Sequence, residues 1–235
     1  MAAIRGVLFD KDGTLVDFNA TWSAIARQLA MRAAEGDTQR ADALLTLSGY
    51  DLLSGRFLAD SVFAAGTNAE VVELWHPGLE REELRRVTAL YDEITAREGA
   101  ASAVALPGIV DAIRALHARQ IALGVATNDS TSGAEQTLAA LGISGMFAAA
   151  YGYDAVARPK PAPDVLVAFS DMIGVRLAEI AMVGDNRHDL ETGRAAGAGL
   201  VVGVLSGTGT RDTLEPLADI VLDSVAELPA YLSSS

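Results

Sequence analysis

Two carboxylates, Asp10 and Asp12, come directly after a short apolar segment near the start of the chain. The segment from Ile4 to Phe9 has the pattern of a buried strand, and Gly13 indicates a turn after it. In a parallel α/β sheet, ligands bind beyond the carboxyl ends of the strands, and the two-residue period of a strand would put both carboxylates on one face. Two close like charges favour a bound cation, and oxygen ligands suit Mg²⁺. The same residues also fit an Asp-Gly turn that closes a hairpin.

A second apolar run, residues 121–126, ends in Thr127-Asn128-Asp129. A hydroxyl and free backbone N–H groups at the end of a strand can bind phosphate oxygens, which makes Thr127 and Asn128 candidate anion ligands. Thr, Asn and Asp are also ordinary residues of turns and helix N-caps. The pattern alone leaves both interpretations open.

Lys160 and Asp185 are two further candidate site residues. Lys160 lies among the three prolines of residues 158–163, which stiffen a short loop before a helix. An ammonium held on such a loop can neutralise a phosphate and a nearby carboxylate, although a solvated surface lysine fits the pattern as well. Asp185 follows another apolar run, where Gly184 allows close backbone approach. The alternative for Asp185 is an N-cap of the helix that follows.

Lysine is scarce in this chain, because nearly all basic residues are arginine and the only lysines are Lys11 and Lys160. A general arginine bias explains the scarcity, but not why both lysines lie inside candidate motifs. For Lys11 two interpretations are open. Its side chain either points away from the acid pair, or adds a charge near the mouth of the site that favours a strongly anionic substrate.

The composition restricts the class of protein. The net charge of −13 disfavours binding to nucleic acid or to an anionic membrane, so any phosphate site must be locally positive. The absence of cysteine excludes disulfides, thiol catalysis and cysteine-ligated zinc. We see no leader sequence and no apolar run of the ~18 residues that a bilayer span requires. We therefore expect a cytoplasmic protein that is a monomer or a homodimer.

The periodicity of apolar residues changes twice along the chain. From about residue 21 to residue 97 the spacing is helical, with no convincing strand, and Phe57, Val62 and Phe63 are placed in its third helix. From residue 106 onward, strand and helix patterns alternate, which indicates a parallel sheet, and a helix over 225–232 closes the chain. The predicted fold is α/β: a Rossmann-like, doubly wound parallel sheet core, residues 1–16 and 106–235, with an inserted all-helical cap, residues 17–105.

Four short motifs, in order, resemble those of the haloacid dehalogenase-like (HAD) phosphatases. The helical insert between the first two motifs matches the branch that includes phosphoglycolate phosphatase and β-phosphoglucomutase. The matching residues are Asp10, Asp12, Gly13 and Thr14 in the first motif, Thr127 in the second, Lys160 and Pro161 in the third, and Gly184, Asp185 and Asp189 in the fourth, which Gly193 to Gly197 follows.

The resemblance implies roles for the acids of the motifs and for the residues that would bind phosphate. Asp10 would attack phosphorus and form an aspartyl-phosphate, and Asp12 would protonate the leaving group and then activate water. Thr127, Asn128 and Lys160 would bind the phosphate, while Asp189 would orient its neighbours. Mg²⁺ would be held by Asp10, Asp12 and Asp185. Separately from the resemblance, Arg56 of the cap lies in a loop-like context after Ser54-Gly55 and could meet a substrate carboxylate.

The resemblance also implies a small phosphorylated metabolite as the substrate, with phosphoglycolate as the first expectation. Lys11 departs from the family's habit of an apolar or aromatic residue between the two acids. Two other functions remain open at this point. One is a phosphomutase of the β-phosphoglucomutase type, and the other is a catalytically silent protein that binds a phosphometabolite.

Overall fold

A computed structural model describes residues 3–59 and 61–234 of the chain. The strands are β1 Gly6–Phe9, β2 Tyr50–Asp51, β3 Arg56–Phe57, β4 Ala122–Ala126, β5 Ala149–Tyr151, β6 Ile180–Gly184, β7 Leu200–Val204 and β8 Ile220–Leu222. The α-helices are α1 Phe18–Ala33, α2 Thr38–Leu47, α3 Val62–Ala65, α4 Asn68–Trp75, α5 Arg81–Ala101, α6 Ile109–Ala118, α7 Thr131–Ala140, α8 Asp164–Ile173, α9 Arg187–Ala196, α10 Arg211–Leu214 and α11 Leu228–Ser234. Among these described residues, no helix is both long enough and apolar enough to cross a membrane.

Six parallel strands form the main sheet, in the order β5-β4-β1-β6-β7-β8. The strand β1 is therefore central, and the chain winds from it first to β4 and later to β6 on the other side. Phe9 of β1 pairs with Val125 of β4 and with Val183 of β6. The three strands consequently end at one edge of the sheet, where the chain changes direction and a crevice opens. This confirms the predicted doubly wound α/β fold.

Apolar side chains cover both faces of the sheet. Val7 and Phe9 point to the face that packs against α6, whereas Leu8 points to the opposite face, against Phe169 of α8. This alternation follows from the two-residue period of a strand. Burial on both faces explains why β1 is a continuous apolar run in the sequence.

Residues 17–105, which we call the cap, pack around an apolar cluster of their own. Trp22, Leu29, Val72, Trp75 and Tyr91 are among its buried members. The core contributes other clusters around the sheet. The division of the chain into core and cap remains a prediction, and the separate clusters support it.

The chain enters and leaves the cap through two adjacent segments. The backbone N–H of Asp17 donates to the carbonyl of Val104 at 2.8 Å, and that of Leu106 donates to the carbonyl of Leu15 at 3.1 Å. The Asp17 side chain then accepts from the N–H of Ala20 and begins α1 as its N-cap. This paired connection places the start of α1 next to the carboxyl end of β1.

The prediction of an all-helical cap is wrong in one place, because β2 and β3 form a small antiparallel hairpin. Phe57, which was expected in a helix, pairs with Tyr50 in this hairpin. Its ring packs 4.8 Å from the ring of Tyr50 and 4.8 Å from that of Phe63. Strands of two residues are too short to show an alternation in the sequence, and this hairpin depends on packing against the cap cluster. At the end of the chain, the expected helix over 225–232 begins as a 3₁₀ turn before α11.

We predict that Leu8→Ala lowers the free energy of unfolding by about 2–5 kcal/mol, because Leu8 is fully buried in the central strand and its truncation leaves a cavity. Leu53→Ala is the matched control, since Leu53 is 98% exposed at the tip of the cap hairpin. The control should change the stability by no more than ~0.5 kcal/mol. Urea unfolding of both variants measures the difference, and equal losses would contradict this description of the core.

Candidate active site

Three candidate residues directly follow the three central strands. Asp10 follows β1, Thr127 follows β4 and Asp185 follows β6, and all three are buried. The backbone N–H of Asp10 donates to the carbonyl of Val183 at 2.8 Å, so the sheet register continues to the first catalytic candidate. Parallel pairing therefore places these side chains at one edge, although they are up to 175 positions apart in sequence.

Lys160 connects two of the carboxylates in this group. Its Nζ donates to Asp10 Oδ1 at 2.6 Å, to Asp189 Oδ1 at 2.6 Å and to the carbonyl of Ala126 at 3.0 Å. The side chain is buried, so the solvated-surface interpretation of Lys160 is wrong. Burial alone would lower the pKa of the ammonium, but the charges of Asp10 and Asp189 raise it above its ordinary value. Lys160 is thus held in its charged form.

Asp10, Asp185 and Asp189 form a buried carboxylate cluster, in which one oxygen of each lies within 4.8 Å of the others. Burial raises the pKa of Asp10 to about 6, with Lys160 opposing and Asp189 reinforcing that shift. Burial, together with the charges of Asp10 and Asp189, raises the pKa of Asp185 well above its ordinary value. Three carboxylates share one ammonium, and this excess of negative charge suits a divalent cation with oxygen ligands.

The side chain of Asp12 lies outside this carboxylate cluster, contrary to the expectation that it joins Asp10 and Asp185 around a metal. Its Oδ1 accepts from Nε1 of Trp22 at 2.6 Å, and its Oδ2 lies 3.0 Å from Nζ of Lys11. The two-residue period ends with β1 at Phe9, because the following residues turn and the N–H of Leu15 donates to the carbonyl of Lys11. Asp12 still lines the same cleft as Asp10.

Both interpretations of Lys11 from the sequence are wrong. The side chain is only 1% exposed, and it contacts an acid of the pair rather than pointing away from it. Its Nζ lies 2.7 Å from Asp129 Oδ2 and 5.1 Å from the ring centre of Trp22. Lys11 is therefore a buried bridge between two loops, not a free charge at the mouth of the cleft.

Neutral donors hold the Asp185 carboxylate. The hydroxyl of Thr14 donates to Oδ1 at 3.3 Å, and the backbone N–H of Thr208 donates to Oδ2 at 2.8 Å. Gly207 makes this approach possible, because a Cβ there would collide with the carboxylate. The sequence analysis did not assign a role to Thr14 or Thr208. The sequence signal that could have indicated Thr208 is the glycine-rich stretch after β7. That stretch reaches Asp185 only because β7 lies next to β6 in the sheet, and the sequence does not show this strand order.

Asn128 joins the core to the cap. Its Nδ2 donates to the carbonyl of Ala65 at 2.8 Å and to that of Lys160 at 3.3 Å, while its buried Oδ1 has no hydrogen-bond partner among the residues that the structure describes. His188 is the second residue of α9, and its Nδ1 lies 3.2 Å from the same Ala65 carbonyl. The hydroxyl of Thr127 accepts from the N–H of Asp129 at 3.0 Å.

Asp189 serves two neighbours at once. Its Oδ1 accepts from Lys160. Its Oδ2 accepts from the backbone N–H of Asn186 at 3.0 Å, as part of the capping box at the N-terminus of α9. These contacts fit the expectation that Asp189 orients its neighbours. Its membership of the carboxylate cluster also makes it a possible metal ligand, which the sequence analysis did not favour.

The carboxylate cluster lies at the floor of a cleft that encloses about 50 Å³ between core and cap. The cap side is lined by the rings of Phe18, Trp22 and Phe63 and by residues 64–68. Arg56 is not among the lining residues, and its side chain is exposed on β3. Because neighbouring residues of a strand point to opposite sides, the burial of Phe57 turns Arg56 outward. The structure therefore does not bring Arg56 to the site.

Comparisons with known proteins show the family of this chain. The model of the haloacid dehalogenase-like hydrolase family matches residues 4–197. The chain belongs to that family. It is 30% identical to phosphoglycolate phosphatase of Escherichia coli, over 96% of this chain and 91% of the relative. It is 31% identical to phosphoglycolate phosphatase of Shigella boydii over the same shares of the two chains.

Solved structures share the fold. A protein from Haemophilus somnus described as a predicted phosphoglycolate phosphatase superposes with a TM-score of 0.72 at 20% identity, covering 98% of this chain and 99% of that one. A haloacid dehalogenase-like family hydrolase from Streptococcus pneumoniae has a TM-score of 0.70 at 22% identity, with coverage of 98% and 99%. At these identities the likeness establishes the fold alone.

We predict that Gly184→Ala breaks the contact between Lys160 and Asp189, because a Cβ at this position would collide with the Asp189 side chain. Overpacking of this kind costs about 1–3 kcal/mol of stability. Gly145→Ala is the matched control, since a Cβ there meets nothing within 4 Å. The protein has two lysines, so NMR of the labelled lysine side chains follows each ammonium separately. The Lys160 signal should shift in Gly184→Ala and stay unchanged in the control; an unshifted signal in both would contradict the geometry.

Proposed function

We propose that this protein is a Mg²⁺-dependent phosphatase that hydrolyses a small phosphate monoester through an aspartyl-phosphate on Asp10. The observation that carries the proposal is the placement of Asp10. Its buried carboxylate follows the central strand, faces the Lys160 ammonium at 2.6 Å, and lines the cleft beneath the cap. A nucleophile for phosphoryl transfer needs this combination of a fixed carboxylate, nearby positive charge and protection from bulk water.

The proposed reaction has two displacements. A bond forms between an Asp10 oxygen and phosphorus while the ester P–O bond breaks, and a proton from Asp12 goes to the leaving oxygen. Asp12 then takes a proton from water, whose oxygen forms a bond to phosphorus while the bond between phosphorus and the Asp10 oxygen breaks. This step releases phosphate and regenerates the Asp10 carboxylate. Lys160, Thr127 and Asn128 are the proposed ligands of the phosphoryl oxygens. All of these residues line the one cleft, which supports the assignment.

Asp10 and Asp185 are the residues that we propose hold Mg²⁺, with Asp189 beside them. The ion would neutralise the repulsion between the anionic nucleophile and the anionic ester. The donor set fits the ion, because the buried cluster consists of hard carboxylate oxygens and carries more negative charge than Lys160 compensates. The side chain of Asp12 is left out of this set, in line with its contacts to Trp22 and Lys11.

The shape of the cleft favours a small substrate. The space of about 50 Å³ between core and cap is lined on the cap side by three aromatic rings, which suits a small ester. The relatives that carry the name phosphoglycolate phosphatase make a phosphoglycolate-like ester the substrate that we propose first. We also propose the cytoplasm, where such metabolites occur, as the location of the protein.

We predict that Asp10→Asn lowers kcat for phosphate release by about 10⁴-fold or more, because the amide cannot act as the nucleophile. The matched control is Asp111→Asn, which changes an exposed aspartate on α6. The assay follows phosphate release from phosphoglycolate and a panel of small phosphate esters, with and without Mg²⁺. Full activity of Asp10→Asn would overturn the assignment of the nucleophile. Absence of release from every ester by the wild type would favour the binding protein, and phosphate returned to a sugar after priming by a bisphosphate would identify a mutase.

We predict that Mg²⁺ raises the Tm of the metal-free protein more strongly above about pH 7 than below about pH 5. The pKa of Asp10 is raised to about 6 in the folded state, so the folded protein holds a proton that the unfolded chain releases. The contribution of Asp10 to the stability of the metal-free protein therefore falls as the pH rises from about 4 to about 6, and the ionised cluster then binds the cation. Mg²⁺ at a hundred times its Kd adds about 2.7 kcal/mol.

Asp185→Asn should remove most of this increment in Tm, because it deletes one of the proposed ligands. Asp171→Asn, at an exposed position on α8, serves as the control and should keep it. Thermal unfolding in EDTA and in Mg²⁺ at both pH values checks the prediction. An increment of equal size at the two pH values, or one that survives Asp185→Asn, would contradict the proposed metal site.

A further inference from the structure

Both oxygens of the Asp12 carboxylate are held by buried donors from different parts of the chain. The indole Nε1 of Trp22, on the first cap helix, donates to Oδ1 at 2.6 Å. The Nζ of Lys11, on the loop after β1, lies 3.0 Å from Oδ2. One donor would leave the carboxyl group free to rotate about its bond to Cβ, whereas donors on both oxygens fix its plane.

The ammonium of Lys11 that contacts Asp12 also contacts a second carboxylate. Its Nζ donates to Asp129 Oδ2 at 2.7 Å, while the other oxygen of Asp129 accepts from the N–H of Ser130 at 2.7 Å. The N–H of Asp129 donates to the hydroxyl of Thr127 at 3.0 Å. Lys11 therefore ties Asp12 to the loop after β4, which carries the proposed phosphate ligands.

Trp22 is anchored by the packing of the cap. Its ring lies edge-on to Phe63 at 6.4 Å, and also packs near Gly99 of α5, where an added Cβ would lie 3.3 Å from the ring. The indole N–H thus points to Asp12 from a rigid surface. Trp22 also lines the cleft, so the group that orients Asp12 belongs to the wall of the substrate space.

We propose that Trp22 and Lys11 are positioning residues that aim the Asp12 carboxyl at the leaving oxygen of the ester. The inference rests on the proposed function, in which Asp12 is the acid of the first displacement. Fixed orientation matters there because proton transfer requires the donor within hydrogen-bond reach of the leaving oxygen. A purely structural role for Lys11, neutralising the buried Asp129, is the competing explanation that the experiments must separate.

The decisive readout is the dependence of kcat/KM on the leaving group. The leaving group of phosphoglycolate is the alkoxide of glycolate, which needs a proton. The leaving group of p-nitrophenyl phosphate is a stable phenolate, which does not. Since kcat/KM covers the steps up to loss of the leaving group, the ratio of the two values reports how well Asp12 delivers its proton. A general loss of folded protein changes both values equally and leaves the ratio unchanged.

Trp22→Phe should lower the alkyl-to-aryl ratio by at least about tenfold, because it removes the N–H that holds Asp12 but keeps an aromatic ring. Trp75→Phe is the matched control. The indole of Trp75 is equally buried but donates to Ser48 inside the cap, away from the cleft. This control is expected to lose stability and to keep the wild-type ratio. An unchanged ratio in Trp22→Phe would overturn the role of Trp22.

Lys11→Met leaves Asp129 buried without its ammonium, and the variant should be less stable and show the same fall in the ratio. The double variant Lys11→Met/Asp129→Asn removes both charges. It should regain a large part of the lost Tm. Its alkyl-to-aryl ratio of kcat/KM should stay low, because Asp12 still lacks the Lys11 ammonium beside its Oδ2. A double variant with the wild-type ratio would show that Lys11 only neutralises Asp129, and would overturn its positioning role.

Two further variants separate this inference from the proposed function. Asp12→Asn should lower the ratio at least as far as Trp22→Phe, since it removes the proton itself. If Asp10→Asn is inactive while neither Trp22→Phe nor Lys11→Met changes the ratio, the positioning role fails and the phosphatase stands. If Asp10→Asn remains active, or the wild type releases phosphate from no ester of the panel, the proposed function fails, and this inference fails with it.

Discussion

Repulsion among carboxylates at one edge of the sheet is the constraint on which the site depends. In a chain with a net charge of −13, five aspartates gather beyond the ends of β1, β4 and β6, where the low dielectric strengthens every interaction between charges. The two lysines of the sequence are both placed there. Lys160 contacts Asp10 and Asp189, and Lys11 contacts Asp12 and Asp129. Each ammonium serves two acids, so the group keeps a net negative charge that a divalent cation can balance.

This pairing divides the acids by task. Asp10, Asp185 and Asp189 lie close enough to share a cation, and burial keeps the pKa of Asp10 and Asp185 high. Asp12 is turned toward Trp22 and Lys11 instead, and its carboxyl is separated from this carboxylate cluster. The geometry thus separates the acids that could hold a cation from the acid for which we propose proton transfer.

Helix α5 of the cap packs along helix α7 of the core, and specific polar contacts join the two parts around this site. Asn128 and His188 both contact the carbonyl of Ala65, and the hydroxyl of Tyr153 donates to Asp92 Oδ2 at 2.6 Å. The covalent connection is limited to two adjacent segments near Asp17 and Val104. These contacts hold the cap beside the carboxylate cluster, where it shelters the cleft from bulk water.

Local patterns in the sequence determined the ends of β1, β4 and β6, the loop of Lys160 and the motifs that resemble the HAD phosphatases, because each depends on neighbouring residues. The hairpin around Phe57, the outward direction of Arg56 and the partners of Lys11 depended on packing between distant segments, which no local pattern records. Asp12 shows the limit most clearly. Its place beside Asp10 follows from two positions of spacing, but the strand ends at Phe9, and Trp22 and Lys11 decide where its carboxyl points. Tertiary structure decided these features because burying a charge requires a partner, and the partner comes from wherever the fold brings one.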